Sequence, residues 1–261
     1  MKILIVATRV PDANGTADQI TTFQLVEYLK DRGATVEFVT LQVTRYSTLR
    51  GILGLIRNIA VRVLPGQVAL YANSANSKTI ENKINEGCWD RIYFHLSRTC
   101  IDINSSYFQN VYVGLQISQW LNYARMARAL GWSIKGLVFF IESQLSKHFE
   151  KKIIQKCKKV NFVGSAEGEL FQEQRAKLTV IPHGVDFNTS LAACARNRLD
   201  RRNIIFLANF ASEPNRHALN FLLEDVWPLA RKIIPNDVQL IIAGRNIPAM
   251  SYRGSDGVEI V

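Results

Sequence analysis

Short apolar runs alternate along this chain with longer amphipathic stretches. Lys2–Ala7 is a run of buried-strand type, and Thr8–Asp18 is a polar loop holding Pro11, Asn14 and Gly15. Over Gln19–Arg32 the apolar residues Phe23, Leu25, Val26, Tyr28 and Leu29 make one broad face. Gln24, Glu27 and Asp31 form the polar stripe opposite, which predicts a helix. Gly33 suits its C-terminal cap, and Val36–Leu41 is the next strand. Strand, loop, helix and strand in so short a span predict the opening of a doubly wound domain.

The same reading predicts helices over Leu49–Val63, Ser77–Gly87, Trp120–Leu130, Leu137–Lys156 and Ala166–Glu173. Strands are expected at Arg91–Leu96, Val111–Leu115, Val160–Gly164 and Leu178–Ile181. Alternation of this kind implies a mostly parallel sheet with right-handed crossovers. At Val180-Ile181-Pro182-His183-Gly184-Val185-Asp186 the pattern breaks. Pro182 has no N–H for a ladder, and Gly184 permits a positive φ, so a hinge is expected at Pro182, His183 and Gly184. Asn188–Arg202 is polar and weakly patterned. The pattern then restarts with a strand (Ile204–Ala208), a loop (Asn209–Asn215), a helix (Arg216–Ile234) and strands at Val238–Ala243 and Val258–Val261. The expected organisation is a domain over 1–186, a linker over 187–202 and a partial domain over 203–261.

Composition narrows the class. With 48% hydrophobic and 21% charged residues the chain is globular. No apolar run approaches the length of a membrane span, and the N-terminal residues read as a first strand, not a signal peptide. Four cysteines (Cys88, Cys100, Cys157, Cys194) show no metal spacing, so reduced thiols in a cytoplasm are expected. The net charge is +10, nearly all of it before residue 181. A basic surface suits phosphates, lipid headgroups or nucleic acid. No nucleic-acid-binding module is visible, so nucleic acid is not an expected partner. Arg50, Arg57 and Arg62 lie among Leu49, Ile52, Leu53, Leu55, Ile56 and Ile59, and Lys147, Lys151, Lys152, Lys156, Lys158 and Lys159 form a second basic stretch. Such a basic amphipathic helix either rests peripherally on an anionic membrane or turns its apolar face to the core. HExxH, Walker A and GxSxG patterns are absent.

Three ordered pieces resemble a GT-B-fold glycosyltransferase of family four, in the subgroup linked to bacterial surface-polysaccharide assembly. They are the Lys2–Leu41 unit with its Gly15 loop; Lys158–Ser165 running on to Ile181–Asp186; and Ile204–Asn209, Glu213-Pro214-Asn215, Val226–Leu229 and Val238–Arg245. Gly114–Ser118 with Asn122–Arg125 is similar to the same subgroup. The resemblance implies an α/β, GT-B-like fold: a doubly wound Rossmann-like N-terminal domain on the acceptor side and an incomplete Rossmann-like donor domain. It implies sugar transfer from a nucleotide-sugar donor to a glycan or lipid-linked acceptor, with retention and usually without a metal or other cofactor. No protein nucleophile is agreed for such families, and the donor phosphate itself can help deprotonate the acceptor. The family's Glu-x7-Glu donor clamp has no counterpart before Val261, so a C-terminally truncated member is expected. A catalytically inactive fragment or an acceptor- or membrane-binding remnant is the alternative, and a sugar-nucleotide epimerase a weaker one. The work would be done in the cytoplasm, at the inner face of a membrane if the basic helix docks there.

Candidate residues follow from chemistry and resemblance together. Gly15 lies in a loop leading into a helix N-terminus, which attracts anions; its plainer role is a turn glycine. His95, the candidate catalytic residue, ends a strand where open α/β sheets bind ligands, and can hydrogen-bond a sugar hydroxyl unless it is a structural histidine. Arg98 offers a charge for phosphate or acceptor. The resemblance puts pyrophosphate contacts near Asn209 and Arg216, although the family has an Arg and a Lys there, and nucleotide contacts at Gly244 and Arg245. His183 braces the hinge or touches ligand, and Asp186 caps a turn.

Overall fold

The computed structural model describes residues 1–44, 48–184, 203–248 and 257–261. Asp186, Cys194 and the linker expected over 187–202 lie outside the described residues. The chain divides into two compact units, Met1–Gly184 and Val185–Val261.

The N-terminal unit runs β1 (Lys2–Ala7), α1 (Ala17–Asp31), β2 (Thr35–Thr40), α2 (Leu49–Ala60), α3 (Gly66–Ala69), α4 (Ser74–Glu86), β3 (Arg91–His95), β4 (Val111–Gln116), α5 (Gln119–Leu130), α6 (Ile134–Lys156), β5 (Lys159–Phe162), α7 (Ser165–Glu169) and β6 (Leu178–Val180). All six strands are parallel, in the order β2-β1-β3-β4-β5-β6. β1 is covered on both faces, so it reads as an unbroken apolar run. Ile3 and Ile5 pack with Val26 and Ala34 on one face. Leu4 and Val6 join Phe94, Val113, Phe149 and Ile153 in the larger core on the other. The chain leaves β1 toward β2, then returns past it to β3. The strand order therefore reverses between β1 and β3, and a crevice opens beyond their C-terminal ends.

The expected helices form, several with shifted starts that capping explains, except that the one expected over Ala166–Glu173 stops at Glu169 and is followed by a 3-10 segment over Gln172–Lys177. α5 begins behind Ser118, α6 behind Ser133 and α4 behind Asn73. Each side chain accepts an N–H from the residue three positions on: Leu121 at 3.3 Å, Gly136 at 3.0 Å and Asn76 at 2.8 Å. Tyr28 does not join the apolar face of α1; it is exposed, with the Arg32 guanidinium 4.4 Å over its ring. α3 was not legible, being a single turn.

The second unit holds a parallel sheet of β7 (Ile204–Asn209), β8 (Leu240–Arg245) and β9 (Val258–Ile260), in that order. Its expected long helix over 216–234 runs without interruption from Glu213 to Ala230, as α8 (Glu213–Phe221), a π turn over Leu222–Val226, and α9 (Trp227–Ala230). Pro228 has no N–H for the α ladder and its ring crowds the preceding turn, so the ladder widens just ahead of it. Phe210, Leu219, Trp227, Leu240 and Ile242 form this unit's core.

The helix expected over Leu49–Val63 forms as α2, but its apolar residues are split. Leu55 and Ile59 pack on the core. Leu49, Ile52, Leu53 and Ile56 face outward and are exposed. The second basic stretch is partly engaged: Lys147 lies 4.6 Å from the Trp120 ring centroid, Lys158 5.6 Å from that of Tyr112, and Lys159 donates to the Ala176 carbonyl at 2.8 Å. Cys88, Cys100 and Cys157 are free thiols.

Candidate functional site

The crevice above β1 and β3 collects a polar network from three elements. Thr8 follows β1, Asp18 lies in the first turn of α1, and Arg98 lies in the turn after β3. Arg98 donates from Nε to Thr8 Oγ1 at 2.9 Å and from Nη2 to Asp18 Oδ2 at 2.6 Å. Arg9 reaches the same acid from the other side: its Nη1 is 2.8 Å from Thr16 Oγ1 and 3.3 Å from Asp18 Oδ1. Burial pushes the Asp18 carboxyl up. The Thr16 hydroxyl and the charges of Arg98 and Arg9 outweigh it, so the group titrates below its usual value.

Gly15 sits just before this turn. The Thr16 N–H donates to Gln19 Oε1 at 3.2 Å, and Gln19 Nε2 donates to the Val10 carbonyl at 3.0 Å. Gln19 thus folds back over Gly15, where an added Cβ would lie 2.9 Å from Gln19 Cβ. The glycine makes room for the amide that closes the α1 N-terminus.

His95 ends β3 on the same face as Tyr93, their ring centroids 6.2 Å apart. It is 4% exposed, and neither ring nitrogen has a hydrogen-bond partner among the described residues. Burial pushes its pKa down to about 4. The Asp18 carboxylate works against that shift, while Arg98 and His183 add to it. The imidazole is therefore neutral at neutral pH, with one donor and one acceptor unspent. Leaving such groups unpaired costs about 1–3 kcal/mol each.

The backbone around His95 is strained as well. Leu96 has φ 73° and ψ 153°, a region that L residues avoid, and Gln116 at the end of β4 has φ 63°. Gly114, paired in register with His95, has no room for a Cβ because the Tyr93 hydroxyl occupies that space. Strain and unsatisfied polarity thus meet at the C-terminal ends of β3 and β4.

His95, Arg98 and the Gly15 turn are therefore brought to one edge of one sheet, and the charge of His183 reaches His95. Pro182, His183 and Gly184 are exposed. Among the described residues the positive-φ glycines are Gly33, Gly131, Gly244 and Gly257; Gly184 does not use the positive φ that it permits. Ile181 donates to the Phe162 carbonyl at 2.8 Å, carrying β6-like pairing up to Pro182, which has no N–H to continue it.

In the second unit Asn209, Arg216, Gly244 and Arg245 gather at the C-terminal ends of β7 and β8. Asn209 Oδ1 accepts from Ala211 N–H at 3.1 Å and from Asn246 Nδ2 at 3.0 Å. Arg216 donates to the Phe210 carbonyl at 3.2 Å and pairs with Glu213. Gly244 has φ 139° and lies so close to the Ala208 carbonyl that no Cβ fits, while Arg245 is exposed beside Asn209 in register.

Sequence reading missed Thr8, Arg9 and Asp18. Asp18 and Arg98 are 80 residues apart, and only the strand order brings them together. It also missed a cavity of about 570 Å³ between α2 and α4, lined by Gly51, Gly54, Arg57, Arg62, Lys78 and Glu81 among others.

Neither a protein-family model nor any curated protein matches the sequence. Solved structures do. The sucrose-phosphate synthase of Thermosynechococcus elongatus aligns over 100% of this chain and 70% of its own, at 13% identity and a TM-score of 0.61. The catalytic domain of starch synthase IV from Arabidopsis thaliana, bound to ADP and acarbose, aligns over 100% of this chain and 73% of its own, at 10% identity and a TM-score of 0.52. At such identities the likeness speaks for fold. With its reversed parallel sheet and its second parallel α/β unit, this chain has the GT-B-like fold of glycosyltransferases.

Proposed function

We propose that this protein transfers a sugar, with retention, from a nucleotide-sugar donor to a glycan or lipid-linked acceptor in surface-polysaccharide synthesis. In this reading it is a member of GT-B family four. The observation that carries it is His95: buried, neutral and unbonded at the switch point of the sheet. Its imidazole hydrogen-bonds a hydroxyl of the donor sugar and fixes the anomeric carbon. Arg9 and the N-terminus of α1 at Gly15 lie toward the negative donor phosphates. Arg98 holds Asp18 and keeps that carboxylate ionised beside His95. Asn209, Arg216, Gly244 and Arg245 are proposed donor contacts of the second unit. Stabilisation of the departing diphosphate supplies the rate, and no cofactor beyond the nucleotide sugar is invoked. The work would be done in the cytoplasm, peripherally at the inner face of a membrane. Arg57 and Lys78 in the lining of the α2–α4 cavity suit a phosphate on the acceptor, beside Arg62, which is held by Asp102 and the Ile101 carbonyl, and Glu81.

Calorimetry with UDP-, GDP- and ADP-sugars tests this. One of them is expected to bind, and His95→Phe to weaken it at least about tenfold, the effect of one hydrogen bond to a buried group. If none binds, the proposal fails. A second reading, binding without turnover, is favoured by the way Asn209 and Arg216 are bonded inside their own unit. Nucleotide released from a sugar nucleotide by this chain would exclude it.

A further inference from the structure

Two helices of the N-terminal unit wear their apolar stripes on the outside. On α2 the stripe is Leu49, Ile52, Leu53 and Ile56, exposed by 72, 45, 55 and 55%. On α6 it is Ile134, Leu137, Val138 and Ile141, exposed by 86, 60, 53 and 49%. Both follow the i, i+3, i+4, i+7 spacing that normally marks the buried side of a helix. Trp132, in the turn joining α5 to α6, is fully exposed at 108%.

The two stripes belong to one region. The Gly66 N–H, just past the end of α2, donates to both carboxylate oxygens of Glu142, at 3.1 and 3.0 Å. Glu142 directly follows the α6 stripe. The hairpin of α5 and α6 also stands beyond the C-terminal edge of the sheet. Buried Glu150, deep in α6, accepts from the Ser118 hydroxyl at 2.7 Å and the Gln119 N–H at 2.6 Å, immediately after β4 ends. The α6 residues before Glu150, and the whole of α5 beside them, therefore project past that edge. At 1.5 Å per residue α5 alone extends about 18 Å. This is the edge that carries His95.

Charge decides what covers such a surface. Residues 48–63 contain Arg50, Arg57 and Arg62 and no acid, with Arg62 alone of these paired to an acid from elsewhere in the fold, Asp102 at 4.0 Å, among the described residues, and residues 121–141 contain Arg125, Arg128 and Lys135 and no acid. The first carboxylate after the tip, Glu142, is already bonded to Gly66. A second copy of this chain would set cation against cation, because a two-fold interface meets itself. A bilayer with anionic headgroups accepts the apolar side chains and supplies the missing counter-charge. Tryptophan favours the boundary between the two.

We propose that α2 and the α5–α6 hairpin form a docking face for an anionic phospholipid bilayer, with the turn at Trp132 entering first. Docked this way, the His95 edge of the sheet faces the lipid, where a lipid-linked acceptor presents its sugar. This deepens the reading above and rests on it only for that last consequence.

Flotation of the full chain with vesicles tests the face. Vesicles of phosphatidylcholine containing one-third phosphatidylglycerol are expected to bind about a hundredfold more tightly than phosphatidylcholine alone, with the difference lost in high salt. Brominated acyl chains should quench the fluorescence, and Trp132→Leu should remove most of that quenching. The double change Ile134→Ser and Leu137→Ser should abolish flotation while leaving the melting temperature and nucleotide-sugar binding unchanged, since both side chains are exposed. No preference for the anionic vesicles would overturn the proposal. So would a dimer in light scattering that the same double change dissociates. If the unaltered chain binds a nucleotide sugar but does not float with anionic vesicles, the docking face alone fails; if it floats but binds no nucleotide sugar, the catalytic reading alone fails.

Discussion

In the N-terminal unit His95 is buried with neither ring nitrogen bonded among the described residues, whereas in the second unit Asn209 is exposed and bonded to Ala211 and Asn246. Both stand at the C-terminal end of a parallel strand. The unbonded buried group costs stability in the free protein, and a ligand that pairs with it recovers that cost. The bonded exposed group is at rest, and a ligand must first displace its partners. Unsatisfied buried polarity is thus the sharper pointer to a site, even where both residues occupy equivalent places in their folds.

The largest expected effect comes from removing the buried imidazole. Its folded pKa of about 4 lies below the ordinary 6.5. The unfolded chain therefore binds the proton first as pH falls. Stability from this group is whole above pH 6.5, drains away between 6.5 and about 4, and is constant below. The loss across that window is roughly 3 kcal/mol. Urea denaturation of His95→Phe should lack it and should show a gain of about 1 kcal/mol at pH 7. A variant that is less stable at pH 7 would mean His95 is a structural group, and the comparison with Asn209 would collapse.

Next in size is Asp18→Asn. Arg98 would keep Thr8 but lose its charged partner, at a cost of about 1–2 kcal/mol for a partly exposed pair. The change also removes the one group that raises the His95 pKa, so that imidazole should titrate still lower by NMR. An unmoved His95 titration would show that the two do not share a site. Asp18 itself titrates below its ordinary value, so its share of stability fades only in the more acidic range, below the His95 window.

The smallest effect is expected from Asn209→Ala, about 0.5 kcal/mol in stability, with nucleotide-sugar affinity weakened by only about threefold, because a donor must first displace Ala211 and Asn246 from this side chain. A large loss of affinity there would reverse the comparison and make the second unit the better-marked of the two.

Local chemistry made much of this legible in the sequence. β1, α1 and β2 follow from apolar runs and one helical stripe within a few dozen residues. His95 was visible because it ends a strand. What stayed hidden depends on more than one element at once. Periodicity shows that α2 has an apolar stripe but not that Leu49, Ile52, Leu53 and Ile56 face outward. Asp18 and Arg98 meet because the sheet reverses between β1 and β3. The widened π turn after Phe221 was written in Pro228, but the apolar residues around it continue the helical pattern and mask the proline. Gly15 and Gly244 were read as ligand-facing. The structure also gives each a packing reason, Gln19 in one case and the Ala208 carbonyl in the other.

The central place of β1 has a consequence for synthesis on the ribosome. This strand is made first, and β2 closes one of its edges as soon as residue 40 has emerged. The other edge pairs with Arg91–Phe94. Until that segment leaves the exit tunnel, the most apolar strand of the unit offers an open row of backbone donors and acceptors, the template on which misassembly starts. Roughly half of the N-terminal unit must be translated before its first strand is safe, so a pause in elongation before residue 91 would be more hazardous than one after it.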